Sequence, residues 1–426
     1  MLDRKNKKGY FGIVVGGGPA PGINGVISSA TIEAINEGYE VIGIKGGFKG
    51  LFDGTPETVK LTINDVSRIH TAGGSILGTS RDYPQRVKER FKVLLKALRA
   101  MNIRFLITIG GEGTAFMANW IQKEAEWISV AHVPKTIDND IPLPGGMPTF
   151  GYETARHWGV EIVKNIMEDA RTMERWYFVT TMGRHAGHLA LGIGKSSGAT
   201  ITLIPEEFPQ RTVPLKKLAD ILAGAIIKRI AMAKPHGVAI LAEGIAEKLD
   251  QKELSRYEYL ERDETGRIRL SEIQLGRVLK HEVKRLLKQY GIDITIVDKN
   301  IGYELRAAAP IPFDVEYTRN LGFGAVRYLL EGGKGAMVCF HEGKLRPIAF
   351  EEITDADGRI SPRLVDINSE TYIVGRMYMI RLERDDFRPG MLRKLSKITG
   401  LSPEEFKKRF YYIVEDFSCR PVCFQG

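Results

Sequence analysis

Short runs of consecutive apolar residues alternate along this chain with longer stretches of helical period. Residues 11–15 are such a run and break into Gly16-Gly17-Gly18-Pro19-Ala20-Pro21-Gly22. Residues 23–36 then carry a helical pattern, and a second apolar run follows at 40–44. The pattern predicts a helix over 90–101, a strand over 105–109 ending in Gly110-Gly111, and a strand over 128–133. Further strands are predicted over 176–181, 200–204 and 238–241, with helices between them. Strands that are apolar at successive positions are buried on both faces, the signature of parallel sheets covered by helices. Strand–helix alternation at this density predicts an α/β fold of two doubly wound, mostly parallel sheet domains facing across a cleft, plus a C-terminal extension. The expected divisions are 1–150, 151–318 with the chain crossing between the two, and 319–426 completing the domains. Residues 250–269 are highly charged and weakly periodic, which predicts a surface excursion; a helix is expected at 321–330, before a mixed tail.

Composition narrows the classes. The 426 residues are 43% hydrophobic and 27% charged, values of a globular protein with a large core. No stretch approaches the ~20 apolar residues of a membrane span, and the first residues lack the apolar core of a signal peptide. The three cysteines, Cys339, Cys419 and Cys423, give no disulfide framework, so a cytoplasmic location is expected and Cys419 and Cys423 are read as incidental. A net charge of +9 invites anions. The basic residues are spread rather than blocked, which favours anionic metabolites over nucleic acid.

Candidate chemistry concentrates in Pro134-Lys135-Thr136-Ile137-Asp138-Asn139-Asp140, at the carboxyl end of the apolar run 128–133. Open α/β sheets bind ligands at that end of their strands. In an extended turn Asp138 and Asp140, at i and i+2, point the same way. One can take a proton while the other orients a metal or its neighbour. Read alone, the segment is equally an Asx-rich turn satisfying its own backbone. Three glycine loops accompany it: Gly16-Gly17-Gly18, Gly73-Gly74 through Arg81, and Gly110-Gly111-Glu112-Gly113-Thr114. Each lets backbone amides approach an anion, and Glu112 offers a carboxylate for magnesium. The first loop lacks the Lys-Ser/Thr of a P-loop, and Lys45 stands where a dinucleotide site wants an acid. Together with Asp138 and Asp140 the loops describe a phosphoryl-transfer site.

The segments GGGPAPGIN, GGSILGTSR, GGEGT, PKTIDND, MGRHAGHLA, ILAEG and GYELR resemble, in order and spacing, the phosphofructokinases. The likeness runs from about residue 12 to 319, and the later part is similar to the long pyrophosphate-type branch. It implies that residues 1–150 bind the phosphoryl donor and 151–318 bind fructose 6-phosphate. Asp138 would be the base that deprotonates the sugar 1-hydroxyl, with Lys135 and Arg184 the other catalytic groups. Gly17, Arg81, Asp82, Gly111, Glu112, Gly113 and Thr114 would hold the donor, and Glu112 and Asp140 a magnesium ion. Thr136, Met182, Gly183 and Glu243 would line the sugar, while Tyr303 and Arg306 would hold its 6-phosphate. Arg175 would reach a neighbouring subunit's sugar phosphate, which implies a homo-oligomer, a dimer or tetramer.

The donor is read from two positions. Pyrophosphate users of this family carry Asp at the position of Gly113 and a lysine at that of Lys135. An Asp would set bulk and charge against a nucleotide's α-phosphate, and Gly113 removes both. Lys135 can pair with a phosphate oxygen of either donor. On this steric argument ATP with magnesium is the expected donor and pyrophosphate the alternative. Glu112 departs from the family's Asp, so a contact with magnesium through water is expected. Ile27, Thr31 and Thr55 stand where regulated relatives place effector-binding arginines, so that control is expected to be missing. His185 and His188 are read as core or rim packing. The rival classes, a basic nucleic-acid binder or a lipid or NAD kinase, leave the paired aspartates or the MGR and GYELR segments without a reason.

Overall fold

The computed structural model describes residues 8–81, 88–257, 273–355 and 357–415. Asp82, most of the charged excursion after residue 250, and Cys419 and Cys423 lie outside them. Strands β1 (Tyr10–Val15), β2 (Val41–Ile44), β3 (Thr58–Leu61), β4 (Ile103–Gly110) and β5 (Ser129–Pro134) come first. Then follow β6 (Trp176–Thr181), β7 (Ile201–Leu203), β8 (Gly237–Ala242) and β9 (Ile296–Ile301). Late in the chain come four two-residue strands: β10 (Ala336–Met337), β11 (Phe340–His341), β12 (Lys344–Leu345) and β13 (Ile348–Ala349).

Two compact units result, each assembled from two pieces of chain. Met1–Ala155 joins Tyr303–Arg363, and Arg156–Gly302 joins Leu364–Gly426. The chain thus returns to the first unit at Tyr303, earlier than a boundary at 319, and the C-terminal segment is divided between the two units at Arg363 and Leu364. The helix Tyr152–Thr172 carries the chain across the first boundary.

The first unit is a seven-stranded sheet in the order β13-β10-β5-β4-β1-β2-β3, antiparallel only at its two edge pairings. Along β1 the side chains alternate between two cores. Tyr10 and Val14 pack with Phe48, Leu94 and Met117, whereas Phe11, Ile13 and Val15 pack with Ile23, Val26 and Leu321. Both faces are therefore dry, which explains the unbroken apolar run; full burial of each large side chain stabilises by about 1.5–3 kcal/mol. The register pairs Val15 with Ile109 and Ile109 with Val133, so β1, β4 and β5 end level. Their three carboxyl-end loops start from one edge.

The second unit has an all-parallel sheet, β7-β8-β6-β9. Trp176 and Phe178 of β6 face a core shared with the helices Leu215–Ala231 and Leu275–Lys288. Phe387, Leu392, Phe406 and Phe410 of the C-terminal segment enter the same core. The helix His188–Ser197 packs on β6, β7 and β8. Arg381, 3% exposed, bonds both carboxylate oxygens of the fully buried Glu207, 174 residues away, and pins the C-terminal segment to β7 by its bond to the Thr202 carbonyl. Register again levels the strand ends: Thr181 pairs with Ala242 and with Ile301.

Three expectations change. The helix expected at 321–330 begins at Pro312, a residue preorganised for the first helical turn. Its Asp314 is buried and accepts the Gly151 and Thr154 amides (2.8 and 2.9 Å), capping the helix Tyr152–Thr172. Strands β3 and β9 carry polar residues in place of an apolar run and sit at sheet edges, so hydrophobic patterning passed over both.

Candidate active site

In the first unit the turn after β5 alternates in burial, although Asn139 leaves the extended conformation that the i, i+2 reading assumes. Lys135, Ile137 and Asn139 are buried, while Thr136, Asp138 and Asp140 are half-buried. The Lys135 amide donates to the Gly110 carbonyl (2.8 Å), fastening the turn to the end of β4. The Thr136 hydroxyl accepts the Asp138 amide (3.0 Å). Asn139 takes a left-handed conformation at φ 57, which asparagine tolerates better than other side chains, and its Oδ1 accepts the Thr149 amide (3.0 Å). Asn139 and Thr149 therefore support the segment between the two aspartates; neither stood out in the sequence.

The glycine loops close round the same turn. Gly16 donates to the Ile109 carbonyl and Gly17 to that of Ser80, both at 2.8 Å. The Thr79 hydroxyl donates to the carbonyl of Gly17 (2.7 Å), and the buried Asn24 side chain ties the helix Ile23–Asn36 to Ala72, Gly73 and Ile76. A side chain at Gly18 would run into the Arg306 guanidinium and stand 3.1 Å from Nη2 of Arg81. Gly18 also accepts a bond from the Lys135 ammonium through its carbonyl. Lys135 is 4% exposed, and its pKa is pushed down to about 8, chiefly by burial and then by the Arg306 and Arg81 charges, with Asp138 and Asp140 opposing. Three cations thus converge on one backbone position with two carboxylates near, a geometry suited to a compact, highly charged anion.

Several expected residues fall differently. Thr114 is fully buried, its side chain filling the space a Cβ would need at Gly16 and Gly110, so it shapes the two loops from inside rather than facing a ligand. Arg306, expected with Tyr303 on the sugar phosphate, lies at Gly18 and stacks over the exposed Tyr303 ring at 4.6 Å. Gly111 caps the helix Glu112–Glu124, and Glu112 and Gly113 occupy its first turn, where an acid complements the helix dipole. Among the described residues no group of three or more His, Cys, Asp or Glu could hold a metal. Asp140 and Glu112 supply carboxylates of the kind magnesium takes, one or two of them, completing its shell from phosphate oxygens and water.

The second unit presents Met182-Gly183-Arg184 at the end of β6 and Glu243 at the end of β8. Gly183 has φ 129, a conformation denied to other residues, and its carbonyl accepts the Gly244 amide (3.2 Å). Arg184 is half exposed and its Nε bonds Glu247 at 2.5 Å. Glu206 accepts the amides of Gly187 (2.8 Å) and Val365 (3.0 Å), and burial raises its pKa. Arg175 grips Asp169 of its own unit with Nε and Nη2 (both 2.8 Å), and the Tyr177 hydroxyl bonds the same carboxylate at 2.5 Å. His185 is exposed and His188 half-buried.

The phosphofructokinase family matches residues 10–329, and this chain belongs to it. A protein of Thermotoga maritima named pyrophosphate–fructose 6-phosphate 1-phosphotransferase is 53% identical, over 95% of this chain and 99% of its own length. A Naegleria fowleri protein of the same name is 47% identical, over 95% and 96%. Among solved structures, a pyrophosphate-dependent phosphofructokinase from Nitrosospira multiformis shares the fold at a TM-score of 0.66, with 17% identity over 92% of each chain. The expectation of ATP as donor is overturned by the two relatives that match nearly end to end, both of which carry the pyrophosphate name. An absent side chain at Gly113 permits a nucleotide without attracting one.

Proposed function

We propose that the protein transfers a phosphoryl group reversibly from pyrophosphate to the 1-hydroxyl of fructose 6-phosphate, giving fructose 1,6-bisphosphate and phosphate. The observation that carries this reading is the convergence of Lys135, Arg81 and Arg306 on Gly18, beside Asp138 and Asp140. Asp138 takes the hydroxyl proton, the sugar oxygen forms a bond to phosphorus, and the bridging P–O bond breaks with its electrons on the departing phosphate. Lys135 and the arginines hold the charge of both phosphates. Asp140 and Glu112 would hold magnesium together with the donor's oxygens, and the ion would supply neutralisation of phosphate charge there. Met182, Gly183 and Glu243 bind the sugar, and Arg184 pairs with charge on the moving phosphoryl group. The test is the reverse reaction: incubation with fructose 1,6-bisphosphate and inorganic phosphate should yield pyrophosphate, and its failure to form would contradict the reading.

Two further outcomes follow. Gly18→Ala drives a methyl group into the Arg306 guanidinium. A lost charge-assisted contact is worth about 1.5–3 kcal/mol, so the KM for pyrophosphate should rise about tenfold or more in steady-state assays while that for the sugar holds. The protein also works as a homo-oligomer in which Arg175, preset by Asp169 and Tyr177, serves a neighbouring subunit's sugar phosphate. Arg175→Ala should raise the KM for fructose 6-phosphate more than that for pyrophosphate, and light scattering should find no active monomer. The buried free thiol of Cys339, its pKa pushed up to about 11 by burial, fits a reducing, cytoplasmic setting.

A further inference from the structure

Arg363 comes from the last stretch of the first unit, beyond residue 329 where the family match ends. Its guanidinium closes on the segment between the two aspartates. Nε and Nη2 donate to the Asn139 carbonyl at 3.2 and 3.0 Å, Nη2 also bonds Asn139 Oδ1, and Nη1 donates to the Met147 carbonyl at 3.1 Å. Its own amide donates to the Asp140 carbonyl at 2.6 Å. One residue thereby holds the peptide groups on both sides of Asp140, next to Asn139, where the backbone has turned left-handed. Burial lowers the guanidinium's pKa, and Asp140 is among the groups that oppose this. A planar five-donor fork reaches three acceptors in fixed directions, which an ammonium cannot do.

We propose that Arg363 is a positioning residue: it sets the direction in which Asp138 and Asp140 present their carboxylates, and so governs turnover without touching either substrate. The inference rests on the reading of Asp138 as the base. Misplacing a catalytic group by about 1 Å can cost roughly 100-fold in rate. Arg363→Ala and Arg363→Lys are each expected to lower kcat about 100-fold, with the KM of both substrates nearly unchanged. Millimolar guanidinium should restore part of the turnover of Arg363→Ala and none of that of Arg363→Lys, whose ammonium occupies the space. In an Asp138→Asn background, Arg363→Lys should cause a much smaller further loss, because groups acting through one another are not additive. Should Arg363→Ala fail to fold, Arg363→Lys with its cycle decides. A native kcat in Arg363→Lys, or full additivity with Asp138→Asn, overturns the positioning role. Near-native turnover in Asp138→Asn alone would instead sink the assignment of the base, which separates the two failures.

Discussion

Asp138→Asn is expected to lower kcat by about 100- to 10,000-fold, the range of a positioned general base, while leaving the KM for fructose 6-phosphate within about threefold. The variant keeps the volume and one oxygen acceptor but cannot take a proton. The local fold should survive, because the Asn139 amide oxygen, the Thr149 amide and the Lys135–Gly110 backbone bond hold this turn. Steady-state kinetics with each substrate varied will separate the effect on turnover from that on binding. Thermal melts should match the wild type within a few degrees. A variant with near-native kcat would mean that another group accepts the hydroxyl proton.

Lys135→Met carries the second large effect. The side chain is almost wholly buried, and its ammonium is one of three cations at Gly18. Truncating one partner of a buried, hydrogen-bonded charge pair costs about 2–5 kcal/mol, so the KM for pyrophosphate should rise roughly 30-fold or more. A signature in pH distinguishes this from a general loss of integrity. With the folded-state pKa pushed down to about 8, below the ordinary value of 10.5, the folded protein is the weaker proton binder at this site. Keeping the lysine charged therefore opposes folding fully below about pH 8, and the penalty fades as pH rises from there toward 10.5. Wild type should gain stability relative to Lys135→Met over that window in melts taken at each pH. Its affinity for pyrophosphate should fall over the same window, since the neutral amine no longer pairs with phosphate. A stability difference that does not vary with pH would remove Lys135 from this role.

Much of the site's layout was legible because it depends on local rules. Consecutive apolar residues in β1, β4 and β5 marked strands dry on both faces, and chemistry in such sheets collects beyond their carboxyl ends. Asp138 and Asp140 are both half-buried between buried neighbours, although Asn139 between them is left-handed rather than extended as the i, i+2 spacing assumes. What stayed hidden depends on distant parts of the chain. Arg363 lies 224 residues from Asn139, in a stretch with no periodicity to mark it. Arg306, read as a sugar-phosphate ligand, comes to Gly18 only because the chain returns to the first unit at Tyr303, directly after an edge strand with a polar middle. The donor was misjudged for a related reason. Volume at Gly113 can be read from one letter, whereas the charge gathered at Gly18 needs three residues brought together by the fold.

The most direct test sets the two donors side by side. With fructose 6-phosphate and magnesium saturating, initial rates are measured over a range of pyrophosphate and, in parallel, of ATP, to give kcat/KM for each. A cluster of three cations at Gly18 predicts a much larger kcat/KM for pyrophosphate, abolished in Asp138→Asn. A larger kcat/KM for ATP than for pyrophosphate would contradict it.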